Sequence, residues 1–394
     1  MKKRLLVVGC TGSVGRSLLS VCSAFLERFE VRILAARSSV ETMASLALSF
    51  RPEQVILSDE GAATRLRGRL GESTAVLGGQ RAIEEAAGRP DIDHVVIASS
   101  GTDALPALMT ALRSGKEVSL ANKESIVVGA PWVLPLVQGS NQLRPLDSEH
   151  NALWQCLLGR RAEDIATVYL TASGGPFRTW TEEELSRVTP SMALRHPVWS
   201  MGAKLTVDSA TLMNKGIEIM EAMSLFSLPL EKVEAVLSPD PFVHGLVRFA
   251  DGTFLMAASE ADMQIPCATA LFHPERPPRP MVQPRELRGT TISFEAPDER
   301  RFPCLRLAKE AAAAGGAAPA LLVGADEVAV DAFLAGAIAF THIPKVVDAV
   351  LASFTGSAPV SLDESLAVLD EGRRAAAKIC GTIASGTHQG DRWQ

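Results

Sequence analysis

A short apolar run that breaks directly into glycines constrains this chain more than any other stretch. Leu5-Leu6-Val7-Val8 is followed at once by Gly9-Cys10-Thr11-Gly12-Ser13-Val14-Gly15, and then by an amphipathic segment through Leu18, Leu19 and Cys22. That pattern predicts a strand, a tight turn and a helix. Glycines in such a turn let the backbone come close to a pyrophosphate, whose charge meets the free amides at the helix start. Tight turns use glycine without any ligand, so it is the strand before and the helix after that favour a dinucleotide. Apolar β runs then alternate with helical stretches at residues 31–35, 54–57, 75–77, 94–98 and 117–120. Alternation of this kind predicts an α/β fold whose N-terminal part, residues 1–146, is a Rossmann-like doubly wound parallel sheet.

Polar residues collect just past several of these strands, where open α/β sheets bind ligands. The second strand ends in Ala36-Arg37-Ser38-Ser39, without the acid that holds an NAD ribose. A cation beside hydroxyls suits a 2′-phosphate, so NADPH is expected, with Arg37 and Ser38 as its contacts. Ala121-Asn122-Lys123-Glu124-Ser125 follows the strand at 117–120, as a ligand loop or as an exposed turn. Asp147 and Glu149, in Asp147-Ser148-Glu149-His150-Asn151, point the same way if extended and then share a hard cation. The other reading is a helix N-terminus whose acids complement the dipole. Ser173-Gly174-Gly175-Pro176 can offer a hydroxyl and amides to a phosphate, though it is also an ordinary turn. Residues 195–202 set His196, Trp199 and Met201 among Pro and Gly breakers and read as a lid.

In Thr206–Glu221, Thr206-Val207 is expected to be extended, with Asp208 or Ser209 capping the helix that follows. Ala210, Asn214, Glu218 and Glu221 then share one face, with Lys215 on its flank and Leu212, Met213, Ile219 and Met220 opposite. Taken alone, such a polar face is more often simply solvated.

With 394 residues the chain can build two or three cores, and a net charge of −6 argues against nucleic acid or an anionic membrane as partner. Six scattered cysteines with no Cys-x-x-Cys pair suggest neither zinc nor disulfides, and fit a reducing cytoplasm. No apolar run is long enough to span a membrane. A central α+β catalytic domain is expected over 147–273, with a hairpin turning at Ala250-Asp251-Gly252 and free sheet edges suited to a dimer interface. Five prolines within residues 274–284 mark a linker, placed at 274–298, before a C-terminal α-helical domain at 299–394.

Six motifs then carry a resemblance along nearly the whole chain: Gly9 to Gly15, LANKES ending at Ser125, DSEHNA at 147–152, SGGPF at 173–177, RHPxWSMG at 195–202 and VDSATxMNKGxE at 207–218. Together they resemble the 1-deoxy-D-xylulose 5-phosphate reductoisomerases, bacterial cytoplasmic enzymes of the non-mevalonate isoprenoid route. The resemblance implies that Asp147, Glu149 and Glu218 bind Mg²⁺ or Mn²⁺, while Ser173, Ser209, Asn214 and Lys215 hold the substrate phosphate. It assigns His196, Trp199 and Met201 to a mobile flap, Ser148 to the substrate backbone, and Lys123 to the region between substrate and nicotinamide. Gly9, Thr11, Gly12, Ser13, Val14, Gly15, Arg37, Ser38, Asn122 and Glu124 fall to the NADPH site. Glu149, Lys123 and His196 are the candidate catalytic groups, and a homodimer acting on a sugar phosphate is expected. The family usually has Ser at Cys10, Gly at Ala104, HPQS at Ser238–Pro241 and AANE at Gly324–Glu327. The alternative is a divergent NADPH oxidoreductase of the same fold that reduces another phosphorylated carbonyl compound.

Overall fold

The computed structural model describes residues 2–71, 74–195 and 202–386. They form two compact units, one of residues 1–125, 130–154 and 262–286, the other of 126–129, 155–261 and 287–394.

The first unit is built on seven strands: β1 (Lys3–Val8), β2 (Phe29–Ala36), β3 (Gln54–Leu57), β4 (Ala75–Gly78), β5 (His94–Ile97), β6 (Glu117–Leu120) and β7 (Leu143–Pro145). Their order is β4-β3-β2-β1-β5-β6-β7, and every neighbouring pair is parallel. Helices cover both faces, which is why β1 and β5 read as unbroken apolar runs: Leu5, Leu6, Val7, Val95 and Val96 are fully buried. The order of winding reverses between β1 and β5, so the carboxyl end of β1, where Gly9 stands, opens on the ligand crevice of such sheets.

The segment 262–286 belongs to this unit, although proline spacing places the break at residue 274. The helix Gln264–Phe272 packs beside the helix Ser13–Ala24, and its Phe272 ring meets Phe25 and Phe29 edge-on at 4.9 and 5.0 Å. Lys3 Nζ donates to the carbonyl of Leu271 (3.0 Å) and Arg144 Nη1 to that of Ala270 (2.8 Å), so two cations meet the helix's negative end. Both cations also pair with Glu117, which accepts from His94 Nδ1 at 3.1 Å. Burial lowers His94 to a pKa of about 4, so its ring is neutral at pH 7. Prolines mark where a helix stops; aromatic packing and ion pairs decide which body it joins.

The second unit carries four strands, β8 (Ile165–Ala172), β9 (Val233–Leu237), β10 (Val243–Phe249) and β11 (Phe254–Ala258), in the order β11-β10-β8-β9. β8 and β9 are parallel, and β10 runs antiparallel to β8 and β11. The hairpin predicted at residues 250–252 closes through Phe249 N to Thr253 O at 2.9 Å. Four C-terminal helices, Pro303–Ala314, Ala318–Leu334, His342–Ser353 and Leu362–Ala384, complete this unit around Leu322, Val330, Phe333 and Val347. Among the described residues no helix is long and apolar enough to cross a membrane.

Candidate active site

The glycine loop is shaped by contacts that exclude any side chain. Gly9 holds φ +81, and a Cβ there would lie 2.4 Å from the carbonyl of Ala98 and 2.6 Å from Ser99 N. A Cβ on Gly15 would lie 2.3 Å from Gly9 O. The loop is therefore pressed against the β5 end and against the helix it feeds, leaving the helix's first amides to face a ligand. No acid lies in that first turn and no side chain caps Gly12, so this terminus suits a pyrophosphate. Arg37, Ser38 and Ser39 are exposed at the end of β2, and the Arg37 guanidinium has no ion-pair partner among the described residues. Asn122 is fully buried: its Oδ1 caps the helix Lys123–Val133 by accepting from Ser125 N (2.7 Å), and its Nδ2 donates to the carbonyls of Ser99 and Gly101 (2.6 Å each). Its amide thus shapes the loop after β5. Glu124 lies half-buried in the first turn of that helix.

Asp147 and Glu149 stand at the start of the helix Ser148–Leu157, not in an extended strand. The Asp147 carbonyl accepts from Asn151 N at 2.8 Å, which begins the helix one residue after Leu146. An oxygen of each carboxylate still lies within 4.8 Å of the other's, because the helix turn draws them together. The Asp147 carboxylate accepts from Lys123 Nζ and from His150 Nδ1 (3.1 Å). Burial would raise its pKa, but the Lys123 ammonium and the His150 ring hold it well below the ordinary carboxylate range. Ser148 Oγ donates to Glu149. Two carboxylates at this spacing fit a hard divalent cation. His150, fully buried, was not singled out from the sequence; its i+3 spacing from Asp147 on a helix was the available signal.

In the second unit, the expected single helix is two. Residues 203–211 are already helical, Leu212 turns left-handed (φ 61), and a new helix runs from Met213 to Leu225. Asp208 is not a cap because it pairs with Lys204 one turn earlier, at 2.7 Å, and Thr206 Oγ1 donates to Gly202 O (3.0 Å). Thr211 secures the break, donating to Asp208 O (3.2 Å) and accepting from Met213 N (3.3 Å). A non-glycine residue in this conformation is strained by roughly 1–2 kcal/mol, and such strain gathers at functional sites. The break starts a fresh helix N-terminus directly before Asn214 and Lys215.

The polar face beyond it is not solvated. Lys215, Glu218 and Glu221 are 3%, 1% and 1% exposed. Glu218 accepts from Lys215 Nζ and from Asn214 Nδ2 (2.5 Å), and Asn214 Oδ1 is a buried acceptor with no protein partner among the described residues. The Ser173 loop reaches the same place because Gly175 (φ +70) has no Cβ: one there would lie 2.7 Å from Ser209 O and 3.1 Å from Ala210 Cα. The two serines are thereby placed on adjoining backbone, with Ser173 Oγ accepting from Gly175 N at 3.3 Å. A buried cation, two hydroxyls and a helix start suit a phosphate. His196, Trp199 and Met201 lie outside the described residues.

Comparison with known proteins decides what these arrangements belong to. Models of the 1-deoxy-D-xylulose 5-phosphate reductoisomerase match residues 5–130, its C-terminal domain model matches 143–226, and a DXP reductoisomerase C-terminal domain model matches 258–375. The chain belongs to the 1-deoxy-D-xylulose 5-phosphate reductoisomerase family. It is 43% identical to the reductoisomerase of Thermomicrobium roseum over 97% of this chain and 98% of that one. The Ralstonia nicotianae reductoisomerase is 44% identical over 95% and 97%. A solved reductoisomerase from Zymomonas mobilis, in complex with NADPH, superposes with a TM-score of 0.89 at 36% identity, covering 96% of this chain and 99% of that one. A further solved reductoisomerase, in complex with NADPH, fosmidomycin and magnesium, gives 0.88 at 33% identity over 99% and 100%.

Cys10, Gly324 and Asp326, three of the positions expected to depart from the family pattern, are all buried. Cys10 packs in the core beside Met43, its thiol pushed up to about 12 by burial, and is inert. Gly324 touches the helix Leu362–Ala384 so closely that a Cβ would fall 2.2 Å from Leu369 O. Asp326, where the reductoisomerases usually have Asn, faces Asp208: both are buried, and Lys204 Nζ bridges them at 2.7 and 2.6 Å. Burial, and then the Asp326 carboxylate, push the Asp208 pKa well above its ordinary value. A carboxyl with a raised folded pKa stabilises the fold below its unfolded value, near 3.8, and loses that contribution as pH rises through the folded value. Asp326→Asn removes the like charge, so it is expected to stabilise the protein by about 1 kcal/mol at neutral pH and by less in acid. Unfolding midpoints of both proteins across that range check this; parallel pH curves would refute it.

Proposed function

We infer that this NADPH- and divalent-metal-dependent reductoisomerase, which converts 1-deoxy-D-xylulose 5-phosphate to 2-C-methyl-D-erythritol 4-phosphate, works through a metal-binding set and a phosphate-binding set of groups. Asp147, Glu149 and Glu218 ligate Mg²⁺ or Mn²⁺. Ser173, Ser209, Asn214 and Lys215 take the substrate phosphate, and Ser148 the substrate backbone. NADPH lies on the Gly9–Gly15 loop, with Thr11, Gly12, Ser13 and Val14 along its pyrophosphate and Arg37 and Ser38 on its 2′-phosphate. Asn122 shapes the nicotinamide end beside Glu124. The single observation that carries this is the burial of Lys215 and Glu218 on a helix that begins at a strained break, since buried charges of that kind are characteristic of binding sites.

The metal supplies Lewis-acid stabilisation of negative charge developing on substrate oxygens. The protein does the rest. Lys215, remote from the reacting carbons, holds the phosphate and so contributes binding energy that orients the ketose. Lys123, on the Asp147 carboxylate, keeps that carboxylate ionised and carries a proton donor toward the substrate. Glu149 is the candidate base, and its hydrogen bond from Ser148 orients it. His196, Trp199 and Met201 are proposed as substrate-binding residues, and excluding water from the site protects a fragment that must not escape. Following NADPH absorbance with deoxyxylulose phosphate and Mn²⁺, together with product structure, tests the assignment. Oxidation of NADPH without a branched polyol phosphate would favour the divergent oxidoreductase instead.

Arg37→Ala is expected to weaken NADPH about tenfold while leaving NADH nearly unchanged, the loss of one charge-assisted phosphate contact. Paired KM measurements for the two cofactors check it, and an unaltered ratio moves the 2′-phosphate elsewhere. A homodimer is proposed through the edge strand β11, where Phe254, Leu255 and Met256 are 51%, 38% and 48% exposed on neighbouring positions. The working compartment is the reducing bacterial cytoplasm, and no nucleic acid or membrane partner is proposed.

A further inference from the structure

Beside the C-terminal helices lies a partly open cavity of about 460 Å³ whose lining includes none of the proposed metal, phosphate or NADPH ligands. Its size is in the range of small-ligand pockets. Leu185, Phe302, Leu307, Phe340 and Pro344 give it an apolar floor, while Arg300, Arg301, Arg306 and Lys345 outnumber Glu182 and Asp348 among its charged walls. The cations differ in what they already do. Arg301 is fixed, donating to the carbonyls of Arg178 (3.1 Å) and Trp180 (2.7 Å) and to Asp298 (2.7 Å), so it builds the wall. Arg306 pairs with Glu310 at the surface. Arg300 is exposed, and its guanidinium has no ion-pair partner among the described residues.

A second feature of the same cavity points to negative charge. Phe302, Pro303 and Cys304 line it, and they are the start of the twelve-residue helix Pro303–Ala314, which has no side-chain cap and no acid in its first turn. The positive end of that helix therefore opens into the cavity beside the unpaired Arg300. Thr211, whose hydroxyl secures the break before Asn214 and Lys215, also lines the cavity.

We propose that this cavity binds a small organic phosphate or diphosphate ester, its anionic head against Arg300, Lys345 and the Pro303 helix start and its apolar part on Leu307 and Phe340.

Phenyl phosphate is the probe, titrated by calorimetry into the full-length protein already saturated with deoxyxylulose phosphate and Mn²⁺ and lacking NADPH. Occupation of the substrate phosphate site then removes that site from the titration. One saturable equivalent is expected. In the double variant Arg300→Ala/Lys345→Ala its affinity should fall about tenfold, the loss expected for two charge-assisted contacts at a partly open site. Inorganic phosphate should bind more weakly than the phenyl ester, and the variant's KM for deoxyxylulose phosphate should stay within about twofold of the parent. Absence of saturable binding, binding unchanged in the double variant, or binding seen only without deoxyxylulose phosphate would each overturn the proposal. Equal affinity for inorganic phosphate would refute the apolar half of it.

Discussion

Glu218→Gln is expected to lower turnover with saturating Mn²⁺ by about a thousandfold, equivalent to roughly 4 kcal/mol of lost charge stabilisation in the transition state. A neutral amide is a poor ligand for a hard cation. The same substitution also touches folding, because Glu218 and Lys215 are an ion pair that is almost wholly buried. Removing one charge from a buried pair of this kind costs about 3 kcal/mol. The variant should therefore unfold at lower temperature than the parent in the absence of ligands. Deoxyxylulose phosphate should restore part of that loss, since its phosphate gives Lys215 a new anion. Measured kcat, together with unfolding midpoints with and without substrate, separates the two effects. Undiminished Mn²⁺-dependent turnover would remove Glu218 from the metal site, whatever happens to stability.

Gly9→Ala is expected to cost roughly 3–5 kcal/mol of stability and to weaken NADPH at least a hundredfold. The new Cβ would meet backbone atoms of Ala98 and Ser99 at 2.4–2.6 Å, and these cannot rotate aside because Ala98 N is tied to Val8 O at 2.8 Å within the sheet. Overpacking adds to the penalty of a left-handed backbone. Gly15→Ala should behave alike, since its Cβ would fall on Gly9 O. Gly12→Ala is the informative control: its nearest contact would be 3.3 Å, so it should fold well and lose much less NADPH affinity. NADPH fluorescence titrations and thermal unfolding of the three variants check the ranking. If Gly12→Ala were as damaging as Gly9→Ala, close backbone approach would not be what the loop requires.

The N-terminal sheet was legible in the sequence because strands buried on both faces of a parallel sheet must be continuously apolar, and because Gly9 and Gly15 are demanded by contacts between near neighbours along the chain. The hairpin at Asp251-Gly252 was legible for the same reason: it is a local choice with a local cause. The motifs around Asp147, Ser173 and Lys215 named the candidate ligands, yet not their setting. An i,i+4 ion pair from Lys204 to Asp208 keeps the earlier turn helical and shifts the break to Leu212, a competition between two local signals that only the packed structure resolves. Which unit the 262–286 segment joins depends on Phe272 meeting Phe25, a contact of residues almost 250 apart.

Periodicity shows which residues share a face and is silent on what covers that face. The face bearing Lys215, Glu218 and Glu221 reads as solvated, and tertiary packing buries it. The same limit hid the Asp208 to Asp326 pair, made by helices far apart in the chain. Covalent neighbours thus determined the chemistry available to this protein, and long-range packing determined which of those groups lost water, whose charges they face, and hence which of them can act.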